Sequence, residues 1–161
     1  MADDQALRDH VLALLDSENA HAGFDSAVDG WPEELRGARP EGLPYSGWQL
    51  LEHLRLAQRD ILDYSRDSDH VSPPWPEGYW PQSPEPPDPN AWEASVEAFR
   101  ADLQAMKDVV GDPERDLLEP FPWIDDGPTL LREALLLADH NAYHAGQLVL
   151  VRRLLGAWPG D

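Results

Sequence analysis

The chain has 161 residues, 42 % of them hydrophobic, which is enough for one domain with a sizeable core. Its 31 acidic and 12 basic side chains leave a formal net charge of -19, a field that repels phosphate backbones and anionic membrane surfaces and argues against nucleic acid or membrane as a partner. With no cysteine present, disulfides, thiolate nucleophiles and cysteine-ligated zinc or iron–sulfur sites are excluded.

The opening residues Met1-Ala2-Asp3-Asp4-Gln5 are acidic and no long apolar stretch follows them, so no signal peptide is expected. No uninterrupted apolar run approaches the roughly 18 residues that a bilayer span needs. The expectation is a soluble, cytoplasmic protein. The first helical tract runs from about Asp4 to Asp29, with Leu7, Val11, Leu14 and Leu15 at helical spacing and Phe24, Ala27 and Val28 beyond an interruption around Ser17–Asn19. Trp31-Pro32 ends it, because the residue before a proline disfavours helix. Gly37 to Pro44 reads as a loop.

The second helix has a clear start. Ser46 and Gln49 form an S-x-x-Q capping box, and Leu50, Leu54, Ala57, Ile61 and Tyr64 then build an apolar stripe with His53 on its flank. It ends near Arg66–Ser68. A long loop follows from His70 to Asp88, where eight of the chain's 16 prolines fall between Pro73 and Pro89. Trp75, Tyr79 and Trp80 lie within it, so the loop is expected to pack onto the body rather than hang free. The third helix is expected to take Asp88 as N-cap and Pro89 at its first position, running through Trp92, Val96, Phe99, Leu103 and Met106 to Gly111. After a break from Pro113 to Pro128, the fourth extends from about Thr129 to Leu155, closed by Gly156 and Pro159. Its apolar residues, Leu130, Leu131 and Ala134 to Ala138 among them, spread beyond one face, which suits a central helix or a subunit interface. No strand-like alternation and no internal repeat are visible. The expected fold is therefore all-α, an up-down four-helix bundle with long proline-rich connecting loops, in a single domain over residues 1–161.

Three histidines stand in otherwise apolar helical surroundings: His53 on the second helix, His140 and His144 on the fourth. Burying imidazoles there is unfavourable unless their ring nitrogens are satisfied. Residues four apart on a helix share a side, so His140 and His144 can reach one ion, and bundle metal sites draw inward side chains from facing helices, which brings in His53. The H-x-x-x-H spacing alone arises by chance, and Asn141 stands where the zinc proteases carry a glutamate; the third histidine on another helix is what gives the pattern weight. Three ligands would leave a coordination position open, the arrangement of catalytic rather than structural sites. The alternative is a set of core histidines bonded to carbonyls or carboxylates.

The stretches Ser46-Gly47-Trp48-Gln49-Leu50-Leu51-Glu52-His53-Leu54 and Asp139-His140-Asn141-Ala142-Tyr143-His144-Ala145-Gly146-Gln147 resemble the DinB/YfiT-like superfamily. That superfamily is marked by one histidine on the second bundle helix and by an H-x-x-x-H followed by Gly-Gln or Arg-Gly-Gln on the fourth. The likeness covers nearly the whole chain. It implies a four-helix bundle, often dimeric, with a divalent metal ion (zinc, nickel, iron or manganese) on His53, His140 and His144. Characterised relatives include S-transferases that use bacillithiol or mycothiol and a thiol-dependent maleylpyruvate isomerase, and most members have no known activity.

Around these ligands, Asp60 and Glu133 lie two turns from His53 and His140 and are candidates for a hydrogen-bond partner or general base, against the plainer reading of solvated carboxylates. Gln147, one turn past His144, is the stronger candidate for a residue that matters at the site. Asp139 points away from His140. His10, His21 and His70 have no partners at ligand spacing and read as ordinary surface residues. Trp75, Tyr79 and Trp80 could line a pocket mouth or simply anchor their loop. The functional expectation is a metal-dependent enzyme acting on a small molecule, thiol S-transferase-like or hydrolase-like, with a low-molecular-weight thiol as possible co-substrate and a homodimer as assembly. The rivals are a non-catalytic metal-binding or stress-response protein, and a helical interaction module without metal.

Overall fold

The computed structural model describes residues 2–16 and 20–160. They form five α-helices: α1 (Ala2–Leu15), α2 (Phe24–Val28), α3 (Gly47–Arg66), α4 (Ala91–Gly111) and α5 (Leu130–Leu154), with one 3-10 turn at Glu33–Leu35. Among the described residues no strand forms, and an isolated bridge between Pro120 and Thr129 is the extent of β pairing. The all-α expectation holds. The first tract, however, is two helices rather than one, and the expected interruption at Ser17–Asn19 lies outside the described residues. No described helix is long and apolar enough to cross a membrane.

Helix boundaries follow local chemistry. At the head of α3 the Ser46 hydroxyl accepts from the Gln49 amide at 3.2 Å while Gln49 Oε1 accepts from the Ser46 amide at 3.3 Å, completing the capping box. Gly47 has no alternative there, because a Cβ would stand 2.5 Å from the Trp31 ring. Helix α5 opens with Thr129 accepting from the Arg132 amide and closes with Gly156 at φ 68°, whose amide bonds the Arg153 carbonyl while that of Ala157 bonds Arg152, a Schellman ending. The start of α4 departs from expectation. Its N-cap is Asn90, without a side-chain bond, and the helix begins at Ala91. Asp88 instead accepts from the Asn90 amide at 2.8 Å, and its carbonyl takes the Ala91 amide, so Asp88 to Ala91 is a turn ahead of the helix.

Two apolar clusters hold these helices together. One gathers Phe24, Trp31, Trp48, Leu51, Leu54, Trp92, Phe99 and Leu148; the other gathers Val11, Leu62, Met106, Val110, Leu117, Leu130 and Leu137. Each large side chain buried in them contributes about 1.5–3 kcal/mol. Helix α5 is less uniformly buried than its composition suggests, since Leu135, Leu136, Tyr143, Leu150 and Leu154 are exposed.

Side-chain bonds give the helix directions. Along α3, Glu52, Gln58 and Arg59 meet Ser95, Phe99 and Asp102 in turn, so α3 and α4 run parallel. Helix α5 runs against α3, with His53 beside His144 and Gln58 beside Asn141. Helix α1 runs against α4: Arg8 reaches the Val110 and Asp112 carbonyls, and Asp16 pairs with Lys107. The expected up-down alternation therefore gives way between α3 and α4, where a parallel pair requires a long crossover. The proline-rich segment is that crossover, and it retraces α3 from end to start. His70 bonds Asp60 at 2.7 Å, the Tyr79 hydroxyl donates to Asp60 at 2.7 Å, the Pro81 carbonyl accepts from Gln49 at 3.0 Å and the Pro84 carbonyl from Ser46 at 2.5 Å. A segment dense in proline cannot pair its own backbone in a sheet, so its carbonyls are free to accept from α3.

Candidate metal centre

The antiparallel pair α3 and α5 brings His53, His140 and His144 together between the two apolar clusters. Their candidate ligand nitrogens all lie within 4.8 Å of one another. His53 Nε2 stands 3.2 Å from His144 Nε2 and 3.2 Å from His140 Nε2. The ring planes are inclined at 60°, 63° and 82° to one another, so the rings converge as spokes rather than stack. His53 and His144 are buried and His140 is half-buried, which leaves the His140 side as the more open one. Among the described residues no further histidine, aspartate or glutamate joins this group.

The second nitrogen of each ring decides what the converging nitrogens carry. His53 Nδ1 lies 3.0 Å from the Tyr79 carbonyl, which can only accept, so Nδ1 holds the proton. His144 Nδ1 lies 2.7 Å from Gln147 Oε1, another acceptor. Both rings therefore present bare Nε2 lone pairs to each other. Protonation does not relieve this near neutral pH. Burial pushes the His53 pKa down to about 4, a depression that the Tyr79 carbonyl opposes and the charge of His144 reinforces. Burial and the charges of His144 and His53 push His140 down to about 4 as well, and burial lowers His144 against the opposing bond to Gln147.

The opposed lone pairs of His53 and His144, with His140 Nε2 3.2 Å from that of His53, fit a cation. Two imidazoles bound tetrahedrally at roughly 2.0–2.1 Å have their nitrogens about 3.3 Å apart, close to the 3.2 Å separations found here. The donor set is imidazole throughout, which zinc, nickel, iron and copper all accept.

The crossover closes one side of the centre. The Trp80 indole stacks on the His53 ring with centroids 3.7 Å apart at 8°, and Tyr45 stacks behind Trp80 at 4.1 Å. Trp75 is more remote, 6.5 Å from His53, and is largely exposed, as is Tyr143, whose ring meets His144 edge-on at 4.9 Å. Asp60 does not touch the histidines. It holds His70 and the Tyr79 hydroxyl, whose pKa is pushed up to about 12 by burial and by this bond, and so it ties down the residue whose carbonyl orients His53. Glu133 also stays apart, buried and paired with Arg132 at 2.6 Å.

Sequence reasoning brought the three histidines and Gln147 to one place. It offers Trp80 as a pocket-mouth or loop-anchoring residue but gives no sign of the Tyr79 carbonyl, and it reads His70 as a surface residue where the structure pairs it with Asp60. A backbone carbonyl has no side-chain signature, but the aromatic pair inside a proline-rich segment was a usable signal.

A fold of packed helices with histidines converging from two of them defines a helical protein able to hold a metal ion. The sequence profile of the DinB superfamily matches residues 16–148, and the chain belongs to that superfamily. Searches of curated proteins and of solved structures found no match.

Proposed function

We propose that this chain is a metal-dependent enzyme that binds one divalent ion (zinc, nickel, iron or manganese) on His53, His140 and His144 and acts on a small molecule. The observation that carries the reading is the pair of lone pairs, on His53 and His144, turned toward each other at 3.2 Å with their protons committed elsewhere. Left alone, that arrangement is repulsive, and a shared cation makes it attractive.

Such an ion, acting as Lewis acid, supplies a nucleophile near neutral pH by lowering the pKa of a water or a thiol. The chain's own residues do the rest. Tyr79 and Gln147 fix the tautomers of His53 and His144 through carbonyl and amide oxygens. Trp80 and Tyr45 cover the His53 face and exclude water from it. A cavity of about 560 Å³ lies along the α3–α5 groove, lined by Asp60, Tyr64, Ser72, Arg132, Glu133 and Leu136, with Leu136 one turn before His140. Its size suits a small polar substrate. Thiol S-transfer is the reaction class we favour, with hydrolysis second.

Elemental analysis of tag-free protein tests the reading. We expect about one metal ion per chain, and its loss in His144→Ala; no bound metal in the wild type, or full occupancy in the variant, overturns the assignment. The finer claim predicts that conjugation of a chromogenic electrophile to a low-molecular-weight thiol depends on added metal and disappears in His53→Ala. The exposed Leu135, Leu136, Tyr143, Leu150 and Leu154 on α5 support a homodimer, which light scattering at the mass of a single chain would exclude.

A further inference from the structure

Along the α3–α5 groove the three histidines lie between two cavities, one polar and one apolar. The helices run antiparallel, so Leu50, one turn before His53, and Gln147, one turn after His144, fall on the same side of the cluster. Both residues line a cavity of about 90 Å³, together with Leu43, Tyr45, Leu150 and Val151. The larger cavity, bordered by Asp60 and Leu136, lies on the opposite side.

The two differ in chemistry. Carboxylates and Arg132 border the larger one, whereas no charged side chain borders the smaller, and Gln147 is its one amide. The walls of the smaller cavity are tied to the histidines on both helices. Tyr45 stacks on Trp80 and Trp80 on His53, with centroids 4.1 and 3.7 Å apart. Gln147 Oε1 lies 2.7 Å from His144 Nδ1.

Gln147 also supplies the polar feature that a ligand can read. With His144 presenting Nδ1–H, the amide turns its oxygen to the ring and its nitrogen away. Among the described residues no group accepts from Gln147 Nε2, which leaves that donor to water or to a ligand. An apolar lining with few polar groups that fix orientation is the composition of small-molecule sites. Size narrows the occupant further. An apolar cavity of about 150 Å³ takes benzene, so one of about 90 Å³ admits only a smaller group.

We infer that this cavity is a substrate subsite for a short, uncharged alkyl group carrying a carbonyl oxygen, and that Gln147 Nε2 donates to that oxygen. The inference rests on the metal-binding reading above, which fixes the His144 tautomer and makes the occupant a substrate. It narrows the substrate to a small carbonyl compound and leaves the larger cavity to a polar co-substrate. The Gln147 amide then has one duty per atom: its oxygen orients a histidine, and its nitrogen selects the substrate.

The probe is acetone, and its control is isobutene, the same skeleton with a methylene in place of the oxygen. Each is titrated into zinc-loaded wild-type protein and followed by ¹H–¹⁵N NMR of the Gln147 side-chain amide. Acetone should move that amide downfield, and isobutene should not. The second test uses Gln147→Glu, which keeps an oxygen for His144 but loses the donor. The ratio of acetone to isobutene affinity should fall roughly 3- to 10-fold, the worth of one net hydrogen bond. Zinc affinity, measured by competition with a chromophoric chelator, should stay within a few-fold of wild type. An unmoved Gln147 amide, or an unchanged affinity ratio in the variant, overturns the subsite while leaving the metal site standing. If wild-type protein takes up no zinc, nickel, iron or manganese at all, it is the underlying reading that fails.

Discussion

Two buried polar sites on α5, two turns apart, are built on opposite principles. Arg152 is almost wholly buried, and every contact it makes is complementary: Nε donates to the Ala157 carbonyl at 3.0 Å, Nη1 to the Ser26 and Ala27 carbonyls at 3.3 and 3.2 Å, and the guanidinium lies over the Trp31 and Trp158 rings. It closes the end of α2 and the Schellman turn of α5 with one side chain. The histidine cluster is equally well placed but turns the Nε2 acceptors of His53 and His144 toward each other. One helix thus carries a buried cation whose partners are all supplied and a histidine pair whose Nε2 atoms are not. On the proposed function, the contrast is between a site finished by the fold and a site that an ion would complete.

The largest expected effect lies at the finished site. Arg152→Ala strands three carbonyls and should lower unfolding stability by about 3 kcal/mol, read from urea denaturation, with zinc affinity of the folded protein unchanged. A coupled loss of affinity would mean that the two sites are not independent. The received ion should stabilise the wild type by about 2.7 kcal/mol when free zinc stands at 100 times the dissociation constant. His144→Leu should abolish this gain, and a melting-temperature rise of wild-type size in that variant would break the comparison.

Next in size, and opposite in sign to Arg152→Ala, is the effect of His144→Leu without metal. Removing one of the opposed lone pairs should leave metal-free protein more stable by about 1 kcal/mol. A clear destabilisation would mean that the histidines serve the core. A separate test is the pH dependence of metal-free protein. His53 and His140 have native pKa values near 4, below the unfolded value of 6.5, so between these limits the unfolded chain binds more protons than the native one. Stability is then full above pH 6.5 and falls as the pH drops toward 4. His53→Leu should flatten that slope in urea titrations across the window, and an unchanged slope would contradict the burial of neutral imidazole.

What could be read from the sequence follows from which interactions leave a periodic trace. The apolar stripe on α3, its Ser46–Gln49 cap and the same-side pair His140 and His144 are local, and each appears in the structure as expected. The parallel course of α3 and α4 left no such trace, because helix direction depends on where a connection returns, and proline density alone does not say whether a loop turns back or crosses over. Asp60 and Glu133, each readable as a partner of the histidines or as a plain solvated carboxylate, stand about 10 Å along their helices from them and bond instead to His70 and Tyr79, or to Arg132. Asp88 was a plausible cap by residue type, yet the turn it forms with Asn90 used its side chain first. The amide pair of Gln58 and Asn141 is visible only once α3 and α5 are in register.

The central claim, that the imidazoles from α3 and α5 share one ion, is met most directly by X-ray absorption at the zinc edge of zinc-loaded protein. The account predicts three imidazole nitrogens in the first shell at about 2.0–2.1 Å. A shell with fewer than three imidazoles, or one made of carboxylate oxygens, would contradict it.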